Sequence, residues 1–394
     1  MATVAFPWVQ RFRTPGVLFF ATIDAIDAMG RALLVTVIPI QALDAFGDSR
    51  DISLAFTFGG VAGLAGLFTI PWLIRTFRRR FVYTLGVALL IAAAAALATT
   101  SQVGVVVAIV LRTFATSCVI ISMNLYVMEF IHKRDFGRLE PIRIMAVGVP
   151  WTVGPYLGVH LYAEVDPLFA YAIAAACAAL VLAYFWWVPL RGQPTAALHR
   201  APRAPWRDIG RFIVQPRLRL AWLLAFGRSC WWSMFFIYVP LFMVESGLGE
   251  LAGALAVSIG NATLLVAPVF GWLARRFHMR PVITVAFLAL AGTTLAAGLT
   301  ADAPYVAASL LLLGTLPAVA LDGLAIILFY RAVHPYERPE MSAVYSTWRD
   351  LSNMATPGIA AIALSFGPLP WVFVALGATM FVYAAYSRYI PHSM

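Results

Sequence analysis

Runs of apolar residues long enough to cross a bilayer alternate along the chain with short polar connections. Twelve such runs are read, over 17–42, 53–74, 81–100, 105–130, 142–163, 167–190, 219–243, 250–273, 281–300, 304–330, 342–366 and 369–389. Each is near or above the ~20 residues that a helical crossing needs. The connections alternate in sign. RTFRRR at 75–80, HKRDFGR at 132–138, the stretch from Arg191 to Arg219 and RRFHMR at 275–280 are basic, whereas DAFGDSRD at 44–51, AEVDP at 163–167, ESGLGE at 245–250 and Asp302 are acidic. Of the 28 Lys and Arg, 23 fall on the basic side when Arg143, Arg219 and Arg388 at the run ends are counted with it, one (Arg50) on the other, and four deep inside the runs. Basic loops are retained in the cytoplasm, so both termini are expected there. An all-α membrane protein is therefore predicted.

Composition agrees. Of 394 residues, 62% are hydrophobic and 12% charged, against about 25% charged in a soluble domain. The net charge of +10 then reads as a topology signal with a weak attraction to anionic lipid, not as a nucleic-acid footprint. Met1 to Gly16 is not expected to be a cleavable signal, because the apolar run behind it is too long and lacks a small-residue cleavage site. Cys118, Cys177 and Cys230 lie in apolar runs and are odd in number, which suits free buried thiols. The six histidines form no HxxxH pair and no close Cys pair exists, so neither a metal nor another cofactor is expected. No glycine-rich phosphate loop and no nucleophile with a base at workable spacing is present, which argues against an enzyme.

Polar residues inside the runs carry the candidate chemistry. Asp24, Asp27 and Arg31 in the first run stand at i, i+3 and i+7, within a sector about 60° wide. An ion in hydrocarbon costs several kcal/mol unless it meets a partner or water, so this face is expected to look into a polar cavity. A structural pair of Asp27 with Arg31 is the plainer alternative. Away from the run ends, four acids (Asp24, Asp27, Asp322, Asp350) and four bases (Arg31, Arg112, Arg228, Arg349) lie within the runs, and their sum is zero.

The halves repeat. Ile38-Pro39 matches Val239-Pro240 at an offset of 201, as Ile70-Pro-Trp-Leu with Arg75 matches Gly271-Trp-Leu-Ala with Arg276. Arg138-x-Glu140 matches Arg338-x-Glu340 at 200, and Gly154-Pro155 matches Thr356-Pro357 at 202. Residues 1–190 and 219–394 are thus read as two six-helix bundles, and the Pro- and Arg-rich stretch 191–218 as a cytoplasmic linker, with Trp206 to Phe212 suited to a short amphipathic helix.

On these residues the chain resembles the major facilitator superfamily over its full length. The family's signature after its second helix, Gly-x-Leu-Ala-Asp-Arg-x-Gly-Arg-Arg, stands here as Gly271-Trp-Leu-Ala-Arg275-Arg276-Phe-His278-Met-Arg280, with the acid and second glycine replaced. In the first half Ile70, Ile74 and Phe77 replace Gly, Asp and Gly, leaving Arg75, Arg78, Arg79 and Arg80. The resemblance implies a cytoplasmic gate in which Arg75, Arg79, Arg138, Arg276 and Arg338 pair with acids such as Asp135, Glu140, Glu337 and Glu340. Gly154, Pro155 and Gly158 in the fifth run resemble the motif found mostly in exporters that exchange substrate for protons; ordinary close packing would use the same residues.

The family's architecture implies that runs 1, 4, 7 and 10 line a central cavity. Arg228 falls at the position equivalent to Asp27, and a pair between them is one expectation, as is one between Asp322 and Arg349. Asp27, then Asp24 and Asp322, are the candidate proton sites, since moving an adjacent arginine changes an acid's affinity for a proton. Arg31, Arg112, Thr116, Met123, Tyr126, Arg228, Trp231, Trp232 and Phe235 are the expected cavity residues, Thr116, Met123 and Tyr126 lying within about 40° of the Arg112 direction. Aromatics with Met make a reshapeable pocket.

The expected function is alternating-access export of an amphiphilic organic compound in exchange for protons, by a monomer in a bacterial inner membrane. Proton-coupled uptake of a small organic anion and a non-cycling transporter-like sensor are the alternatives.

Overall fold

The computed structural model of the protein describes residues 16–130, 136–188, 205–333, 341 and 344–390. Among these residues the regular structure is helical, with no strand. Hydrocarbon offers the backbone no hydrogen-bond partners, and a helix satisfies its N–H and C=O groups internally. The helices are α1 (Val17–Phe46), α2 (Ser49–Leu97), α3 (Gln102–Phe130), α4 (Phe136–His160), α5 (Pro167–Trp187), α6 (Pro205–Val214), α7 (Pro216–Glu245), α8 (Glu250–Ala262), α9 (Ala267–Phe277), α10 (Met279–Leu299), α11 (Pro304–Ala332), α12 (Thr347–Leu364) and α13 (Pro370–Ser387). Eight described helices are long and apolar enough to cross a membrane. The predicted amphipathic segment is the ten-residue α6.

The repeat read from sequence has a backbone counterpart. α2 breaks at Arg78 (φ 65, ψ 144), and the turn between α9 and α10 is made by His278 (φ 66, ψ 156). The two lie 200 residues apart. Non-glycine residues rarely adopt this conformation, and both stand in the basic turns where the family pattern places glycine. In the first half the break falls at Arg78, one residue beyond Phe77, which stands at the pattern's second glycine.

The described chain forms two compact units, one of residues 16–41, 62–130 and 136–188, the other of 42–61 and everything described from 205 onward. The division therefore runs through α1 and α2, whereas the sequence placed it in the linker alone. Residues 42–61 belong with the second unit because of what they touch. Ser49 Oγ donates to Glu245, the Ser53 and Tyr238 hydroxyls are bonded at 2.7 Å, and a Cβ on Gly60 would stand 2.5 Å from the Met354 backbone.

Among the described residues the first unit holds two apolar clusters, the smaller formed by Ile70, Ile74 and Val82 of α2 with Cys118 of α3. Phe19, Phe20 and Ile23 of α1, Tyr83 and Val87 of α2, Val119, Met123, Tyr126 and Val127 of α3, and Ala178, Val181 and Phe185 of α5 pack together. Tyr83 lies 4.2 Å from Phe185, centroid to centroid. In the second unit α7 packs on α8, α11, α12 and α13, and α10 on α11 and α13.

The motif Gly154-Pro155-x-x-Gly158 brings α4 onto α1. A Cβ on Gly158 would stand 1.9 Å from the Leu33 carbonyl oxygen, and one on Gly154 2.5 Å from the Ala32 Cβ. Only glycine permits that approach, and it fixes α1 directly beside Arg31.

Candidate functional site

The acidic face of α1 stays within the first unit. Arg31 donates through Nε to Asp27 Oδ2 at 2.8 Å, with Nη2 2.7 Å from the same oxygen. Asp27 keeps 7% of its surface. One turn apart on a helix, the two make the local pair that spacing allowed. Asp24 meets a different partner, the Nε of Arg143 on α4. Arg143 lies just inside the fifth apolar run, three residues past Glu140, and was counted in sequence as a loop charge; its distance from the run's edge was the available signal.

Arg112 approaches from α3 and donates from Nη2 to the Arg31 carbonyl at 2.8 Å. Asp27, Arg31 and Arg112 line one small pocket, closed by Gly30 and Leu34 of α1, Leu90, Ala93 and Leu97 of α2, and Ala174 and Ala178 of α5. Its polar groups converge while its walls are apolar, so the charges are poorly screened. It has room for water or a small ion and not for a drug-sized molecule.

Further along α3 the expected cavity face turns into packing. Met123 and Tyr126 keep 3% and 4% of their surface and sit in the apolar core against Phe185. Thr116 spends its hydroxyl on the Arg112 carbonyl at 2.7 Å. The helical wheel put these side chains on the Arg112 face correctly; that face looks toward α1, α2 and α5 of its own unit.

In the second unit Arg228 pairs with Asp322, and Trp232 donates to the other Asp322 oxygen at 2.9 Å. Side-chain exposures of 10% for Arg228 and 27% for Asp322 leave the pair mostly out of water. The Arg228 guanidinium also lies 4.6 Å from the Trp348 ring, which Arg349 approaches at 5.3 Å. These contacts correct two expectations. Asp27 and Arg228 each have a partner inside their own unit, and Asp322 takes Arg228 where sequence depth had suggested Arg349. Trp348, adjacent in sequence to Arg349 and Asp350, was not anticipated.

The α7 aromatics divide between two faces. Trp231 is fully buried, donates to Thr294 at 2.8 Å and stacks on the equally buried Phe235. Both are packing residues: bare Gly314 and Gly260 make room for them. Trp232, stacked on Phe236, is the partly exposed one. A hydrogen bond between the Ser229 and Ser352 hydroxyls, and one from Ser233 to the Asn353 side-chain oxygen, join α7 to α12 beside it.

The expected gate is described only in part. Arg79 lies 4.9 Å from the Tyr126 ring and donates to the Leu125 carbonyl, so in this structure it contacts its own unit. Arg276 stands 5.9 Å from the Phe277 ring at an exposed position. Arg338 and Glu340, with Asp135 and Glu337, lie outside the described residues, as do the side chains of Arg75, Arg138 and Glu140.

Against known proteins, residues 20–357 match the family model of the Major Facilitator Superfamily. No curated protein sequence matches the chain. Among solved structures, a point mutant of the nucleoside transporter NupG is similar at 13% identity with a TM-score of 0.75, over 95% of this chain and 100% of that one. A POT family transporter in complex with 5-aminolevulinic acid is similar at 11% identity and a TM-score of 0.77, over 94% and 95%. A D-xylose–proton symporter is similar at 14% and 0.75, over 95% and 97%.

Proposed function

Because the chain belongs to the major facilitator superfamily, we propose that this transporter is a proton-coupled secondary carrier of a small organic solute, working by alternating access through twelve spans with both termini in the cytoplasm. The observation that carries the reading is the pair of Asp27 and Arg31, enclosed with Arg112 among apolar helices. A carboxylate held there by a single guanidinium is a group whose proton occupancy changes when the arginine moves. Asp27 is the first proton site. Asp24, held by Arg143, and Asp322, held by Arg228, are built on the same plan.

Two directions of transport follow from different observations. The Gly154-Pro155-x-x-Gly158 contact with α1 supports export of an amphiphilic compound by exchange, since it resembles the exporters' motif and abuts the Asp27 helix. The second reading, uptake of an organic anion together with protons, is favoured by Arg112, which meets no carboxylate among the described residues. Coupling to protons is also in the name of the D-xylose–proton symporter that shares the fold.

The test is transport by the purified chain in proteoliposomes with an imposed pH gradient, against a panel of neutral, cationic and anionic solutes. Exchange predicts accumulation on the acidic side, and proton-linked uptake predicts accumulation on the alkaline side. Gradient-independent transport of every solute moved would remove proton coupling from the account.

A further inference from the structure

Among the described side chains inside the first unit stand two acids, Asp24 and Asp27, and three arginines, Arg31, Arg112 and Arg143. Asp24 is matched by Arg143 and Asp27 by Arg31, which leaves the guanidinium of Arg112 over. Arg112 carries five N–H donors, and the Arg31 carbonyl is the one oxygen its side chain meets among the described residues. In the interior of the second unit, by contrast, Asp322 and Asp350 offset Arg228 and Arg349. An uncompensated charge among membrane helices is costly, and the usual remedy is a counter-ion.

The pocket beside Arg112 is placed to hold one. It is lined by Arg112, Arg31 and the Asp27 carboxylate that Arg31 holds, its remaining wall is Gly, Leu and Ala, and it is too small for a whole organic substrate. We infer that this pocket is a binding site for a small monovalent anion, either a free halide or the carboxylate group of a solute. The ligand takes the N–H donors of Arg112 that face the pocket, and the pocket returns to neutrality when it binds.

Asp27 sets the strength of the site. While ionised it occupies Arg31; once protonated it releases that guanidinium, and the anion then meets two forks instead of one. Proton and anion therefore bind in mutual support, each raising the affinity of the other by the same factor. The other titratable or charged groups near Asp27 are Asp24 with Arg143 of α4, Tyr83 of α2 and Cys177 of α5. Asp24 is already matched by Arg143, and the remaining two are uncharged in their protonated forms, so none supplies the missing negative charge.

The site is tested apart from transport, by binding to the full chain in lipid nanodiscs, with sodium bromide and sodium benzoate as probes and benzamide and sodium gluconate as controls at equal ionic strength. Bromide or benzoate is expected to raise the melting temperature. Arg112→Gln removes the effect, and Arg112→Lys, which keeps the charge without the fork, weakens it partially. Asp27→Asn, which frees Arg31 from its carboxylate, is expected to bind either anion about tenfold tighter than the wild type. Bromide alone identifies a free-ion site, located by its anomalous scattering beside Arg112, and benzoate alone identifies a substrate carboxylate. If neither anion stabilises the protein, or both act equally on folded Arg112→Gln, the inference is overturned whatever the vesicles show of transport.

Discussion

At the scale of single residues, what matters is which arginine each buried acid holds. Three membrane acids have one each, and the pair of Arg228 and Asp322 is the most accessible to a clean measurement. Asp322→Asn leaves Arg228 with Trp348 and no carboxylate, and is expected to destabilise the protein by about 3 kcal/mol, the low end for a buried pair because Asp322 retains some exposure. The double variant Asp322→Asn with Arg228→Met should recover part of that loss, since no lone charge remains. A double-mutant cycle on thermal or denaturant unfolding in detergent checks it; additive losses would show that the two side chains do not depend on each other. Residue types and faces were legible in the sequence, because helical periodicity alone aligns Asp24, Asp27 and Arg31. Partners were not, because spacing says nothing of which neighbouring helix approaches a face. Arg143 was overlooked and Arg349 preferred for that reason.

Helices set where those residues can be. The contact of α4 on α1 depends on Gly158, whose missing side chain leaves room for the Leu33 carbonyl. Gly158→Ala is expected to cost about 2 kcal/mol by overpacking and to shift α1 near Arg31, so proton-driven transport should fall along with the melting temperature. Loss of stability with coupling intact would make the motif a packing device alone. The paired breaks at Arg78 and His278 offer the opposite experiment. Arg78→Gly and His278→Gly relieve an unfavourable backbone conformation and should each stabilise by about 1 kcal/mol, whereas Arg78→Ala should not. Thermal melts of the three variants decide it. The basic connections at 75–80 and 275–280 marked where the apolar runs end, but run lengths do not say which residue turns, and the positive φ falls on Arg78 and His278.

For the whole molecule, the apolar runs and the signature residues made an all-helical member of this family legible, and the family match over residues 20–357 agrees. The membership of residues 42–61 in the second unit could not be read from apolar runs, since it arises from hydroxyls such as Ser53 meeting Tyr238. Orientation remains a prediction at this scale. Cysteines introduced at Asp302 are expected to react with an impermeant thiol reagent from outside intact cells and those at Arg211 only after permeabilisation; the reverse pattern would invert the topology drawn from the basic loops. The central claim is that a proton on Asp27 drives the conformational cycle. Its most direct test compares wild type with Asp27→Asn in proteoliposomes, following both solute exchange and solute-elicited proton movement for a solute that the panel identifies. The account predicts that the variant still exchanges solute down its gradient but moves no protons and cannot accumulate it. Proton movement at the wild-type rate in Asp27→Asn would contradict it.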